Sequence, residues 1–243
     1  RASGVYVSQT SGHPGSGVSV KIRGIGSINR SSEPLYIVDD VPTGGLNGIA
    51  PEDIESVQIL KDASATAIFG ARGANGVVII TTKRGRKNSG VKADFSAYTK
   101  ISEFPQYRRY DIMNADEYVS LTREAYALTD PGNTPPIIAS DSLRMAYGDV
   151  DTRWQDELLR TGFGQNYHAG LSGGNENSNF NVSGSYYSED GVMINTDFER
   201  LNLRANSDFS ILNDHLKIGE SFLITQTKSH GSQGGQGNKW VQA

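Results

Sequence analysis

Six consecutive residues, Val77-Val78-Ile79-Ile80-Thr81-Thr82, are all β-branched. A run that never alternates to a plainly polar side marks a strand covered on both faces, so this chain must build a layer on each side of it. The residues just before supply one neighbour. Ser56 to Lys61 alternates, with Val57 and Ile59 on one face, as a half-buried strand does. Asp62 suits a helix cap, because its carboxylate can accept free backbone N–H groups of the first turn. Ala63 to Phe69 fits that short helix, and Gly70 fits the left-handed residue that ends it. Gly73 and Asn75-Gly76 are turn signals. The stretch Glu52 to Arg84 thus reads as strand, helix, turn and buried strand, a compact packing unit without a nucleophile, metal cluster or phosphate cradle.

The preceding residues extend this unit. Val5 to Val7 is a short strand, followed by the glycine-rich loop Gln9 to Gly17 with His13 and Pro14. Val18 to Arg23 alternates Val18, Val20 and Ile22 against Ser19, Lys21 and Arg23. Gly24 to Glu33 is a second polar loop. Its Gly-x-Gly lacks the third glycine and the following helix of a dinucleotide fingerprint. Leu35 to Val38 is a strand. Asp39-Asp40, before Val41-Pro42, reads as a two-residue hairpin turn rather than a cation site, since Asp tolerates the left-handed region. Pro51 suits the first position of a one-turn helix, with Glu52 and Asp53 near its positive end.

Beyond the basic joint Lys83 to Gly90 the texture changes. Val91 to Ser102 alternates for a full strand. Phe104 to Leu159 then interrupts the β pattern. Asn114 can cap a helix over Ala115 to Leu128, and Ser140 to Ala146 and Trp154 to Arg160 fit two shorter helices. Insertions of this length between strands often carry binding surface. Strands return at Tyr167–Ser172, Phe180–Tyr187, Leu201–Ile211 and Leu216–Thr225. Leu201, Leu203, Ala205, Phe209 and Ile211 alternate against Asn202, Arg204, Asn206, Asp208 and Ser210, and Asn213-Asp214-His215 is a tight turn. Segments of about ten residues, apolar on one side, polar on the other and joined by turns, are the signature of a transmembrane β-barrel. A water-soluble sandwich also alternates, with its polar side outward. Glu220 falls among the apolar positions, close to a turn.

Composition narrows the function classes. Lys and Arg number 23 against 27 Asp and Glu, a net charge of −4, which argues against a nucleic-acid partner. Cysteine is absent, excluding a disulfide framework and a thiolate zinc site. No apolar run approaches the roughly 18 residues of a transmembrane helix. His13, His168, His215 and His230 have no ligand-like spacing. No catalytic, cofactor or metal set emerges. The chain lacks an initiator Met and a signal peptide and opens at what reads as a strand edge, so it is read as a fragment.

Several stretches resemble a known family. Val20-Lys21-Ile22-Arg23-Gly24, Leu35-Tyr36-Ile37-Val38-Asp39-Asp40-Val41-Pro42 and Asp53-Ile54-Glu55-Ser56-Val57 through Lys83 resemble the plug domain of TonB-dependent outer-membrane transporters. The wording from Leu60 to Gly70 and from Arg72 to Lys83 is similar to the SusC/RagA branch found in Bacteroidetes. The likeness continues through Asp111 to Tyr118, Trp154-Gln155-Asp156 and the strands to about His230. Asp40 stands where the family usually has Gly. The resemblance implies an α+β plug domain over residues 1–88. Over 89–243 it implies antiparallel strands of a transmembrane β-barrel, incomplete here, with a partly helical insertion at about 104–160.

It also implies import of a nutrient, most often a glycan oligosaccharide and in some members a peptide, with no bond made or broken. The implied partners are a SusD-like surface lipoprotein, TonB acting on an N-terminal segment missing here, and outer-membrane lipid. Ser27, Asn29 and Arg30, in a plug loop, are the candidate ligand contacts. Two other classes compete: a soluble β-rich glycan-binding or adhesion module, and a glycan hydrolase. The hydrolase would need two carboxylates about 5 to 10 Å apart, and Asp39 and Asp40 read as a turn instead.

Overall fold

The computed structural model describes residues 3–9, 11–24, 32–46, 48–129, 150–212 and 215–231. The chain divides into two compact units: Arg1–Ser102 with Gly162–Gly191 and Asn195–Ala243, and Glu103–Thr161 with Val192–Ile194.

Within the first unit, β1 (Val5–Gln9) and β2 (Val18–Ile22) form an antiparallel pair. A four-stranded sheet follows from β3 (Leu35–Val38), β4 (Val41–Thr43), β5 (Ile54–Leu60) and β6 (Val77–Thr82), in the order β4-β3-β6-β5. The β-branched run is β6. It lies inside the sheet, parallel to β3 and antiparallel to β5. Val77, Val78, Ile80 and Thr82 are buried. Ile22, Tyr36, Val38, Ile49, Val78 and Ile80 form one core. Burial, with the Glu33 charge adding to it, holds the Tyr36 phenol above the ordinary tyrosine range.

The Asp39-Asp40 hairpin forms as expected. Val38 pairs with Val41, and both aspartates have positive φ, 46° and 69°, as a two-residue primed turn requires. Asp40 is therefore compatible with the turn in which the family usually has Gly.

Two local expectations are corrected. Asp62 occupies the cap position of α1 (Ala63–Thr66) but makes no side-chain cap bond. Its carboxylate instead pairs with the Arg23 guanidinium at 2.8 Å, a charged partner outcompeting neutral N–H donors. The helix also stops at Thr66 and continues as a 3₁₀ turn, Ala67–Gly73. Gly70, at φ 57° and ψ −145°, breaks that turn in a conformation that favours glycine.

The rest of the first unit is a sheet of five long strands. These are β7 (Ser89–Ser102), β8 (Gly162–Gly174), β9 (Ser178–Asp190), β10 (Asp197–Ile211) and β11 (Leu216–His230), each antiparallel to the next. They run 13 to 15 residues, longer than the roughly 9–11 a tilted strand needs to cross hydrocarbon. In the three central strands, β8 to β10, the polar side of the alternation is the buried side. Asn166, His168, Ser183, Ser185, Asn202, Arg204 and Asn206 are buried, while Phe163, Leu171, Val182, Leu201, Leu203, Phe209 and Ile211 are exposed. This is the reverse of a soluble sandwich, and it settles the ambiguity that alternation alone leaves open. On the apolar face, Glu220 lies opposite Ser207, whose hydroxyl donates to its carboxylate at 2.7 Å.

The second unit holds the insertion. Helix α2 (Ala115–Thr129) is capped at Asn114. Glu117 N–H donates to Asn114 Oδ1 at 2.8 Å, and Asn114 N–H donates to the Glu117 carboxylate at 3.0 Å, a reciprocal capping box. Helix α3 spans Trp154–Leu158, two residues shorter than expected, because Leu159 turns extended and bridges to Met193. The Gln155 amide bonds both backbone groups of Tyr110, at 3.1 and 2.8 Å. Arg109 pairs with Asp156, and Asp151 accepts the first free N–H of α2, that of Ala115. The two arms of the insertion are thus stapled together. The expected helix over Ser140 to Ala146 lies outside the described residues.

Candidate plug and barrel-wall interface

The buried face of the five-stranded sheet meets the compact α/β portion of the same unit through polar contacts at successive levels along the strands. The deepest is built on the hairpin. Turning the chain at Asp39-Asp40 directs the Asp39 carboxylate back at the end of β6, where it accepts the Thr82 N–H at 2.9 Å and the Thr82 hydroxyl at 2.6 Å. The N–H meets Oδ1 and the hydroxyl Oδ2, and Oδ2 also pairs with the guanidinium of Arg204 on β10. Both charged side chains are only 5% exposed. Asn206, two residues on, donates to the Lys83 carbonyl at 3.1 Å. A charge this well buried is stable only with a partner and further hydrogen bonds, and Asp39 has both.

The next level comes from the one-turn helix Pro51–Asp53. Its acids were expected to favour its positive end; they also reach the wall. Asp53 faces His168 Nε2 at 3.0 Å, and Asp94, from the neighbouring wall strand, faces Nδ1 at 3.4 Å. Glu52 accepts the Asn166 amide at 2.6 Å. The Gly48 carbonyl accepts the Thr225 hydroxyl at 2.8 Å.

A third level lies at the end of the wall where the insertion emerges. Gly15 has φ +70°, and a Cβ there would lie 2.0 Å from the Phe198 ring. Backbone conformation and close approach both demand glycine, so the loop Ser11 to Gly17 seats directly on β10. At the opposite end, the joint leading to β7 is tied by Arg84 to Asp208 at 2.9 Å, Lys87 to Ser210 at 2.7 Å, and Asn88 N–H to the Asn175 carbonyl at 3.1 Å.

The arrangement is chemically a docking surface. Ion pairs and amide hydrogen bonds make its deeper levels, and the Gly15–Phe198 packing makes its outermost one. Ser27, Asn29 and Arg30 lie outside the described residues. Sequence reasoning missed Asp39, Asp53, His168 and Arg204 as a set. The available signal was Arg204 on the polar side of a barrel-like strand, because an arginine turned away from lipid calls for a carboxylate. Four histidines without ligand-like spacing gave no hint that His168 would sit between two aspartates.

Comparison with known proteins fits this geometry. A family described as TonB-dependent Receptor Plug Domain matches residues 1–77. TonB-dependent receptor P3 of Formosa agariphila is 38% identical over 245 residues, covering 97% of this chain and 22% of that protein. TonB-dependent receptor SusC of Bacteroides thetaiotaomicron is 33% identical over 227 residues, covering 90% of this chain and 21% of that protein. The chain therefore spans about a fifth of the length of these relatives. Among solved structures, the RagAB peptide importer in its closed-closed state aligns with TM-score 0.81 at 30% identity, covering 98% of this chain and 29% of that one. The siderophore receptor PirA from Acinetobacter baumannii aligns with TM-score 0.55 at 15% identity, covering 93% of this chain and 28% of that one, a likeness of fold alone. With its plug, its inside-out strands and these relatives taken together, the chain belongs to the TonB-dependent receptors of the SusC/RagA type and carries a plug domain with five strands of an outer-membrane barrel wall.

Proposed function

We propose that the protein containing this chain imports a nutrient across the outer membrane, a glycan oligosaccharide, with the plug gating the barrel. Residues 1–88 act as the plug. Residues from 89 onward form barrel wall, and the insertion at about 104–160 lies on the outer side, since long loops of such barrels face outward and short turns inward. The observation that carries this reading is the pairing of an inside-out wall with a plug held by polar contacts. Such a plug can leave and return, because its faces are solvated rather than left bare when it moves. TonB supplies the pull through the plug's N-terminal side. A SusD-like lipoprotein delivers cargo from outside, and Ser27, Asn29 and Arg30 meet it on the plug. A second reading, import of peptides by the same mechanism, is favoured by the likeness to the RagAB peptide importer.

The test is uptake by the full-length protein in outer-membrane vesicles carrying the energised TonB system, across a panel of glycans and peptides, with and without its lipoprotein. Energy-dependent uptake of a glycan is expected, with affinity raised by the lipoprotein. Peptide uptake alone would replace the glycan by the second reading. A protein that binds glycan with no membrane and no energy would overturn import itself.

A further inference from the structure

The buried face of the wall carries one group of side chains that the plug leaves open. In a single register row, Tyr98 of β7 lies opposite Asn166 of β8, Asn166 opposite Tyr187 of β9, and Tyr187 opposite Arg200 of β10. The adjacent row, toward the insertion, brings Lys100 and Glu189 to the same face. The parts are fixed in place. Glu189 accepts from the Tyr187 hydroxyl through one oxygen and from Lys100 Nζ, at 2.5 Å, through the other. The Arg200 guanidinium lies 5.8 Å from the Tyr187 ring centre, and the Phe198 ring packs behind Tyr187 with centroids 6.0 Å apart. Tyr98 is 49% exposed, and the Lys100 side chain is nearly as open.

We propose that this ledge is a carbohydrate-binding subsite on the barrel wall, an assignment that rests on the glycan-import reading above. A sugar ring has an apolar C–H face edged by hydroxyls that both donate and accept. It is recognised by an aromatic face flanked by charged groups, and the ledge supplies two tyrosine rings with a carboxylate, an ammonium and a guanidinium between and around them. Two strand spacings separate the rings, about 10 Å, a distance that a short oligosaccharide bridges and a single ring does not. Tyr187, Glu189 and Lys100 are held before any ligand arrives, so little ordering cost falls on those groups. An extended peptide finds less here. Strands β8 to β10, which carry Asn166, Tyr187, Glu189 and Arg200, are each paired on both sides and offer no edge for an added strand. Asn166, between the tyrosines, donates to plug residue Glu52 at 2.6 Å. Cargo on the ledge therefore covers a contact that holds the plug.

The full-length protein, assembled with its lipoprotein, tests this with the glycan that wild type imports as the probe. Tyr98→Ala is expected to weaken equilibrium binding about tenfold or more, at unchanged barrel assembly by heat-modifiable gel mobility. Tyr98→Phe, which keeps the ring, is expected to restore affinity to within about twofold. Lys100→Ala is expected to weaken binding by a smaller factor. Unchanged affinity in both alanine variants, with glycan uptake intact, would overturn the ledge and leave the importer standing. A wild type that imports peptide and no glycan would overturn the sugar assignment together with the glycan reading. Restoration by Tyr98→Phe separates ring stacking from a general loosening of the wall.

Discussion

Ile80 and Leu203 are both branched apolar residues near the middle of a strand, yet Ile80 is 1% exposed and Leu203 is 50% exposed. Their neighbours reverse the comparison. Asn202, next to Leu203, is 1% exposed. The plug sheet hides its apolar residues from water in one core. The wall sheet turns its apolar residues outward and hides its polar ones against the plug. Alternation is common to both sheets and decides only which residues share a face. What differs is the solvent each face meets: water around the plug, hydrocarbon around the wall. The plug and wall consequently join through ion pairs and amides, because the wall has turned its apolar side the other way.

The sharpest way to break this comparison is to remove a charge from the joined faces. Arg204→Ala strands the Asp39 carboxylate, buried beside Thr82 and only 5% exposed. Leaving one member of a buried pair uncompensated costs about 3–5 kcal/mol. The full-length variant is expected to insert normally but to hold its plug loosely, read as increased entry of a large antibiotic and faster proteolysis at the joint Lys83 to Gly90. Adding Asp39→Asn should recover part of the loss, since the stranded charge is then gone. A tightly closed single variant would mean that the wall contact is incidental to plug docking.

The opposite face gives the next largest effect. Leu203 stands at the seventh of fifteen positions in β10, so its side chain falls near the bilayer midplane. Leu203→Arg is expected to cost about 2–4 kcal/mol of folding into lipid, measured by urea-titrated folding of the full-length protein into bilayers. Asn202→Leu, one residue away, should leave insertion unchanged and disturb plug closure instead. Were the sheet a soluble sandwich, Leu203→Arg would be the harmless change of the two.

Much of this architecture was legible in residue order because it rests on local rules. A run of six β-branched residues marks a covered strand, and Val77–Thr82 is one, with the face of Val78, Ile80 and Thr82 fully buried and Ile79 and Thr81 on the other face half-buried. Asp39-Asp40 reads as a two-residue turn from its own conformational preference, and Asn114 as a cap from its place at the head of a stretch with helical spacing. The strands of the wall were visible from phase alone. Which face of the wall is buried was not, since phase carries no sign. The candidate site was still less visible. Asp39 and Arg204 are 165 residues apart, and nothing local to either names the other. Asp62 shows how a sound local rule fails: a cap worth about 1 kcal/mol yields to a guanidinium that the fold brings from 39 residues away.

The smallest expected effect sharpens the comparison most cleanly, because one methylene is lost on both sides. Ile80→Val removes one methylene from a site packed among Ile22, Tyr36, Val38 and Val78. In a core that close-packed, the lost transfer energy and the small void together cost about 0.5–1.5 kcal/mol. Leu203→Val makes a similar loss of bulk at a position facing outward, where lipid tails reflow to fill the gap, so no comparable void term arises. The first variant is expected to lower the unfolding temperature of the plug in the full-length protein by a few degrees, and the second to leave both plug and barrel transitions where they are. Equal losses from the two would place Leu203 against protein rather than lipid and would remove the distinction on which the inside-out reading of the wall depends.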